Sequence, residues 1–310
     1  MNAPTPNSIR SYLQALRLHL VDADPAVVQD ALYDAEEYLR GELAENPQLS
    51  EADVVSKVAR SYGAPEEVAQ IYLEGEIKIE RALRPPPAPR RNSLLGRYFA
   101  VGADPRAYAG LFYMLLALAT GIVYFTIAVA GVSLSMGLSI LIIGLPFVIL
   151  FLSVVRVLSL VEGRIVEVML GVRMPRRPLY NSGRGQPLLT RIGALFTDAR
   201  TWTTLLYLVL MLPLGVIYFT VAVSMTAIGA GMTLAPVFYS LWLLGVVSVE
   251  HDVTIASGVL PPWLGAPLSF VIGVFLLFAV LHLAKGVAKV HGGLAKHLLV
   301  AVNSQERDRD

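Results

Sequence analysis

Apolar and polar positions follow two different rhythms along this chain. Over residues 8–83 apolar side chains recur three and four apart among charged ones. Ile9, Tyr12, Leu13, Leu16 and Leu20 form one stripe, and Val28, Leu32, Ala35 and Leu39 form a second. That spacing predicts short amphipathic helices packed on a common core. Their ends are marked as well. Asp24-Pro25 is an N-cap followed by proline at the first helical position, and Ser50-Glu-Ala-Asp53 resembles a capping box. Gly63 suits a left-handed helix end, and Pro65-Glu-Glu67 places acidic residues where a helix dipole favours them. A four-helix module is expected.

Beyond residue 104 the rhythm gives way to long apolar runs. Residues 107–155 carry no Asp, Glu, Lys or Arg, and neither do residues 201–249. Each run of 49 positions far exceeds the roughly 20 residues that cross a bilayer once. The two runs also repeat each other. Residues 104–129 and 198–223 align without a gap and share 12 of 26 positions, including Gly121-Ile-Val-Tyr-Phe-Thr126 and Gly215-Val-Ile-Tyr-Phe-Thr220. A second match, at a different offset, pairs Arg156…Glu162-Gly-Arg164 and Leu170 with Lys285…His291-Gly-Gly293 and Leu299. Two related hairpins are therefore expected, residues 104–171 and 198–300.

In the first hairpin, residues 107–130 and 138–155 read as spans joined by a turn at 131–137. In the second, about 35 additional residues separate the matched spans. They are expected outside the membrane at about 233–266, with a final span near 268–284. A five-span arrangement stays open, although it would put Lys285, Lys289 and Lys296 on the outer side, against the positive-inside trend. Past each second span, residues 156–171 and 285–300 read as either an interfacial amphipathic helix or a stop-transfer flank.

Composition sharpens this division. Residues 1–83 carry 15 acidic and 7 basic side chains, a net of −8, whereas 84–310 carry 9 acidic and 18 basic, a net of +9. An acidic module is thus joined to a membrane module with basic edges. The Pro/Arg-rich stretch 84–103 reads as a stiff linker holding the module off the bilayer, and 301–310 as a charged tail. Arginines flank the first hairpin at 84–106 and 156–200, which predicts that both termini are cytoplasmic in a multi-pass inner-membrane protein. There is no cysteine, so disulfides, thiolate metal sites and cysteine nucleophiles are excluded. No cofactor motif is visible. The expected fold is all-α, a polytopic membrane bundle of two repeated hairpins with an N-terminal cytoplasmic four-helix module.

Several motifs carry a family resemblance. Ser11-Tyr-Leu-Gln-Ala-Leu-Arg17, Asp34-Ala-Glu-Glu-Tyr38 and Tyr62-Gly-Ala-Pro-Glu-Glu-Val-Ala69 resemble the helical HAAS (DUF1700) signalling domain. Gly121-Ile-Val-Tyr-Phe-Thr126, Gly144-Leu-Pro146, Glu162-Gly-Arg164, Asp198-x-x-x-Trp202 and Leu212-Pro-Leu-Gly-Val-Ile-Tyr-Phe219 resemble the bacterial membrane sensor domain that serves some histidine kinases as input module. The resemblance implies a non-enzymatic sensor. This chain ends at Asp310 with no kinase domain after its last span, so its output would pass through a separate cytoplasmic protein, a regulator or kinase, contacted by residues 1–83. No direct nucleic-acid binding is expected, and a homodimer is compatible with the reading. The alternative is a lipid or small-molecule transporter, or an accessory subunit of one.

Candidate residues follow from position. Asp34, Glu36, Glu37 and Glu42 form an acidic face able to dock a basic partner, or simply a solvated one. Tyr124, Thr126, Tyr218 and Thr220 are candidates to frame a pocket for a membrane lipid or amphiphile, with an interfacial tyrosine belt as the plainer reading. Tyr239, Trp242 and Trp263 extend that candidate surface outward. Gly121 and Gly215 would let helix backbones approach closely. Gly144 and Pro146 would kink or hinge the second span. Glu250-His251-Asp252 and His282 are weak metal and proton-relay candidates, respectively.

Overall fold

The computed structural model describes residues 6–83, 93–138, 144–177, 199–246 and 261–300. Among these, regular structure is helical throughout. The N-terminal helices are α1 (Ile9–His19), α2 (Pro25–Glu45), α3 (Glu51–Ser61) and α4 (Pro65–Leu83). A short α5 (Leu94–Phe99) and a 3₁₀ turn (Ala100–Ala103) lead into α6 (Pro105–Leu138), α7 (Gly144–Leu170), α8 (Ala199–Leu243) and α9 (Pro262–Leu299). Four helices are long and apolar enough to cross a membrane: Pro105–Leu138, Pro146–Leu170, Ala199–Leu243 and Trp263–Leu299. Their exposed positions include Phe112, Ile122, Val123, Val216 and Ile217. Such side chains suit acyl chains rather than water, and helices satisfy their own backbone groups in lipid.

The N-terminal helices close on a core of Tyr12, Leu16, Leu20, Ala31, Ala35, Leu39, Val54, Val55, Val58 and Val68. Three of the helix starts are capped by side chains. Ser8 and Ser11 form a reciprocal capping box, Asp24 accepts from the Ala26 N–H, and Ser50 accepts from the Asp53 N–H. Gly63 closes α3 at φ 126°, a conformation that disfavours any side chain. Its carbonyl accepts from the buried Tyr12 hydroxyl at 2.7 Å, tying α1 to the α3–α4 turn.

The chain divides into two compact units. One comprises Met1–Pro86, Ala128–Tyr207 and Gly292–Asp310, the other Pro87–Ile127 and Leu208–His291. In the second, α6 and α8 cross where Gly121 meets the Met211 backbone and Gly215 meets the Ala117 backbone. Met114 shares a cluster with Tyr218 and Ala222, so residues before Gly121 lie beside residues after Gly215. Gly110 in turn faces the Ala284 carbonyl of α9.

Three expectations change. Residues 131–137 are not a turn, because α6 continues through them to Leu138; in lipid, glycine does not release a helix that has no water to bond its backbone. Residues 233–243 continue α8 with Pro236 inside the helix, and Trp263–Ala266 open α9, so the supposed outer loop is largely helical where it is described. Gly144 and Pro146 are the first described residues of α7, and residues 139–143 before them lie outside the described residues. Residues 94–103, assigned to the linker, form α5 and the 3₁₀ turn. There Tyr98 donates to the Phe275 carbonyl at 2.6 Å and stacks on His282. Glu250, His251 and Asp252 lie outside the described residues.

Candidate functional site

In the first unit a charged joint connects the N-terminal bundle to the end of α7. Beyond Leu170 the chain leaves helical geometry at Gly171, whose φ of 71° is readily reached by glycine, and runs without regular structure through Pro175. Arg173 then sits among three carboxylates. Its Nη2 donates to Asp30 Oδ2 at 3.1 Å, its Nε to both Glu76 oxygens at 3.0 and 3.2 Å, and its Nη1 to Glu167 Oε1 at 3.1 Å. Asp30 and Glu76 come from α2 and α4, while Glu167 is on α7 itself.

The joint is buried where it matters. Asp30 is 5% exposed and Glu167 4%. Burial pushes the Asp30 carboxyl above its ordinary range, against the opposing pull of the Arg177 and Arg176 backbone N–H groups and the Arg173 charge. Burial also acts to lower the Arg173 pKa, but the Glu76, Asp30 and Glu167 carboxylates more than offset it and hold the guanidinium charged. Removing one member of such a set strands the others, which costs more than the net gain of forming it. Further contacts widen the joint: Arg177 pairs with Asp34 at 2.9 Å, Arg200 donates to Gln29 at 3.1 Å, and Lys296 of α9 pairs with Asp24.

The helices also carry two buried polar pairs. In the second unit Tyr113 contacts His291 Nε2 through its hydroxyl at 2.6 Å, and Tyr218 contacts Nδ1 at 3.3 Å. In the first, Tyr207 donates to Glu162 Oε1 at 2.8 Å, with both residues fully buried. Tyr113 and Tyr207 occupy equivalent positions of the repeat, as do Glu162 and His291. Each first-helix tyrosine is therefore completed by the second helix of the other copy. Residues 156–170 and 285–299 continue α7 and α9 and turn Glu162 and His291 into protein.

The candidate residues are distributed unevenly. Asp34 accepts from Tyr72 at 2.7 Å as well as pairing with Arg177. Glu36 pairs with Arg40, Glu42 pairs with Lys57, and Glu37 is exposed. Tyr124 is buried and Tyr218 half-buried, whereas Thr126 and Thr220 are exposed. Tyr239 and Trp242 stack on each other along α8, and Trp263 is exposed at the start of α9. The His282 ring shares a hydrogen bond with the Tyr98 carbonyl at 3.0 Å, an interelement tie. Asp30, Glu76, Glu167 and Arg173 were not singled out by sequence. For the paired positions, the equivalence of Glu162 and His291 in the repeat was the available signal.

The arrangement defines an all-helical, multi-span membrane protein with a folded N-terminal bundle. Compared with known families, residues 113–299 match the family described as "Putative sensor", which is well over half of the chain, and the chain belongs to that family. No curated protein and no solved structure matches it.

Proposed function

We propose that this chain is a non-enzymatic sensor of the bacterial inner membrane, with both termini cytoplasmic. It passes an envelope or amphiphile signal to a separate cytoplasmic regulator or kinase through residues 1–83. Family membership supports the sensing role, and the HAAS-like motifs of the bundle favour signalling as its task. One observation carries the link between them: Arg173, three residues past α7, is held at once by Asp30 and Glu76 of the bundle and by Glu167 of α7. A shift of α7 must strain or open that joint. A stimulus with different affinity for two packings of the helices would then change how the bundle is held.

The test is affinity purification from mild detergent of the full chain, a form lacking residues 1–83, and the charge reversal Arg173→Glu, each with mass spectrometry of what co-purifies. A cytoplasmic protein retained by the full chain, lost with the deletion and altered in amount by the reversal is the expected result. A lipid or transporter subunit held equally by all three would overturn the signalling reading and favour transport.

A further inference from the structure

The segment that ends α7 meets the bundle as a peptide meets a receptor. It has left the helix and bends at Arg176 and Arg177, and its backbone is read along with its side chains. Asp30 Oδ1 accepts the consecutive N–H groups of Arg176 and Arg177 at 2.7 and 2.8 Å, and the Gln29 side-chain amide donates to the Arg177 carbonyl at 2.6 Å. Two guanidinium groups supply the rest, Arg173 on Asp30 and Glu76, and Arg177 on Asp34 with its charge over the Tyr33 ring at 5.8 Å. Met174 and Pro175 between them are buried. A planar guanidinium fork on a carboxylate fixes geometry in a way an ammonium does not.

We infer that this face of α2 and α4 is a recognition site for a non-helical, arginine-bearing peptide segment, occupied here by the chain's own Arg173-Met-Pro-Arg-Arg177. A partner carrying the same chemistry takes the face when that segment leaves it. This deepens the signalling reading above and rests on it for the partner. Charge decides between classes of ligand: residues 1–83 carry a net of −8, which repels anionic lipid headgroups and attracts a cationic peptide. The occupant already shows which backbone and side-chain groups are recognised.

The experiment uses the full chain in nanodiscs and a fluorescein-labelled hexapeptide, Val-Arg-Met-Pro-Arg-Arg, followed by anisotropy. The double variant Arg173→Ala with Arg177→Ala weakens the occupant's hold without altering the face, and is expected to bind the peptide at least about tenfold more tightly than the unmodified chain. Adding Asp30→Asn should take that gain away, and a permuted peptide of equal composition should bind at least about tenfold more weakly. The single variant Arg177→Ala should move binding in the same direction by a smaller factor, and serves if the double variant is not monodisperse. Equal binding by the variant and unmodified chains, or indifference to Asp30→Asn or to peptide order, overturns the site. If the peptide fails while deletion of residues 1–83 still removes a co-purifying protein, this site falls and the signalling reading stands. If the peptide binds as expected but the deletion removes nothing, the reverse holds.

Discussion

Replacing Gly121 by alanine tests the α6–α8 crossing directly. A Cβ built there would lie 2.5 Å from the Met211 carbonyl oxygen, 2.9 Å from its carbon and 3.1 Å from Leu212 Cα. All three are backbone atoms and cannot rotate aside, and real Cβ contacts essentially never fall below 3.0 Å. The helices must part by at least about 0.5 Å, which already forfeits about a quarter of the dispersion well at each contact across the seam. Overpacking of this kind costs about 1–3 kcal/mol, offset by up to about 1 kcal/mol of alanine's better helix propensity. A net loss of up to about 3 kcal/mol, centred near about 1–2 kcal/mol, is expected and reads as a Tm lowered by several degrees. Gly215→Ala should behave alike, since its Cβ would run into the Ala117 carbonyl. Gly231 and Gly286 have open space where a Cβ would go, so alanine there should be neutral or stabilising by up to about 1 kcal/mol. Thermal unfolding of the four purified variants in one detergent decides the matter. A Gly121→Ala protein as stable as the unmodified chain, or a Gly231→Ala protein that falls with it, would refute the close crossing.

Three other outcomes follow from the geometry. Tyr207→Phe removes a buried donor from Glu162 and should lower stability by about 1–3 kcal/mol, read as a Tm loss in the same assay, whereas an unchanged Tm would mean the pair is not formed. Asp104 is pushed up by burial, but its hydrogen bond and ion pair with Lys285 at 2.6 Å and the Arg106 N–H outweigh that and hold its carboxyl below the ordinary range. Its contribution, up to about 1 kcal/mol, is therefore present above the usual carboxylate pKa near 4 and lost as pH falls through the lower folded value; in Asp104→Asn that acid-side slope should shrink. Gly63→Ala, at φ 126° with the Val68 side chain 3.2 Å from the new Cβ, should destabilise the bundle by about 1–3 kcal/mol, measured as earlier loss of the Tyr12 environment by fluorescence in denaturant.

Periodicity made the bundle legible down to its caps, because Asp24, Ser50 and Gly63 act within a few residues of themselves. The four apolar helices were legible for a similar reason, and so was the role of Gly121 and Gly215 as points where another backbone can come close. Helix ends inside the apolar runs were not. Gly131, Gly137 and Pro236 interrupt helices in water, but α6 and α8 pass through all three where lipid offers the backbone no alternative partner. The joint was hidden for another reason. Asp30 and Arg173 are 143 positions apart, and nothing in either neighbourhood's periodicity announces the other. Asp30 lies on α2 among other charged residues, and the fold buries it.

The exchange of partners between Tyr113–His291 and Tyr207–Glu162 also bears on what kind of duplication this chain preserves. Had each copy completed its own tyrosine, either could survive as a free-standing piece. Instead the imidazole and the carboxylate each meet the tyrosine of the other copy, and because the two groups differ, the copies are not interchangeable. A chain cut within residues 178–198 would yield two fragments, each holding a tyrosine whose proper counterpart lies on the other. Such fragments should be stable only when made together in one cell, as mismatched halves of a former pair of twins.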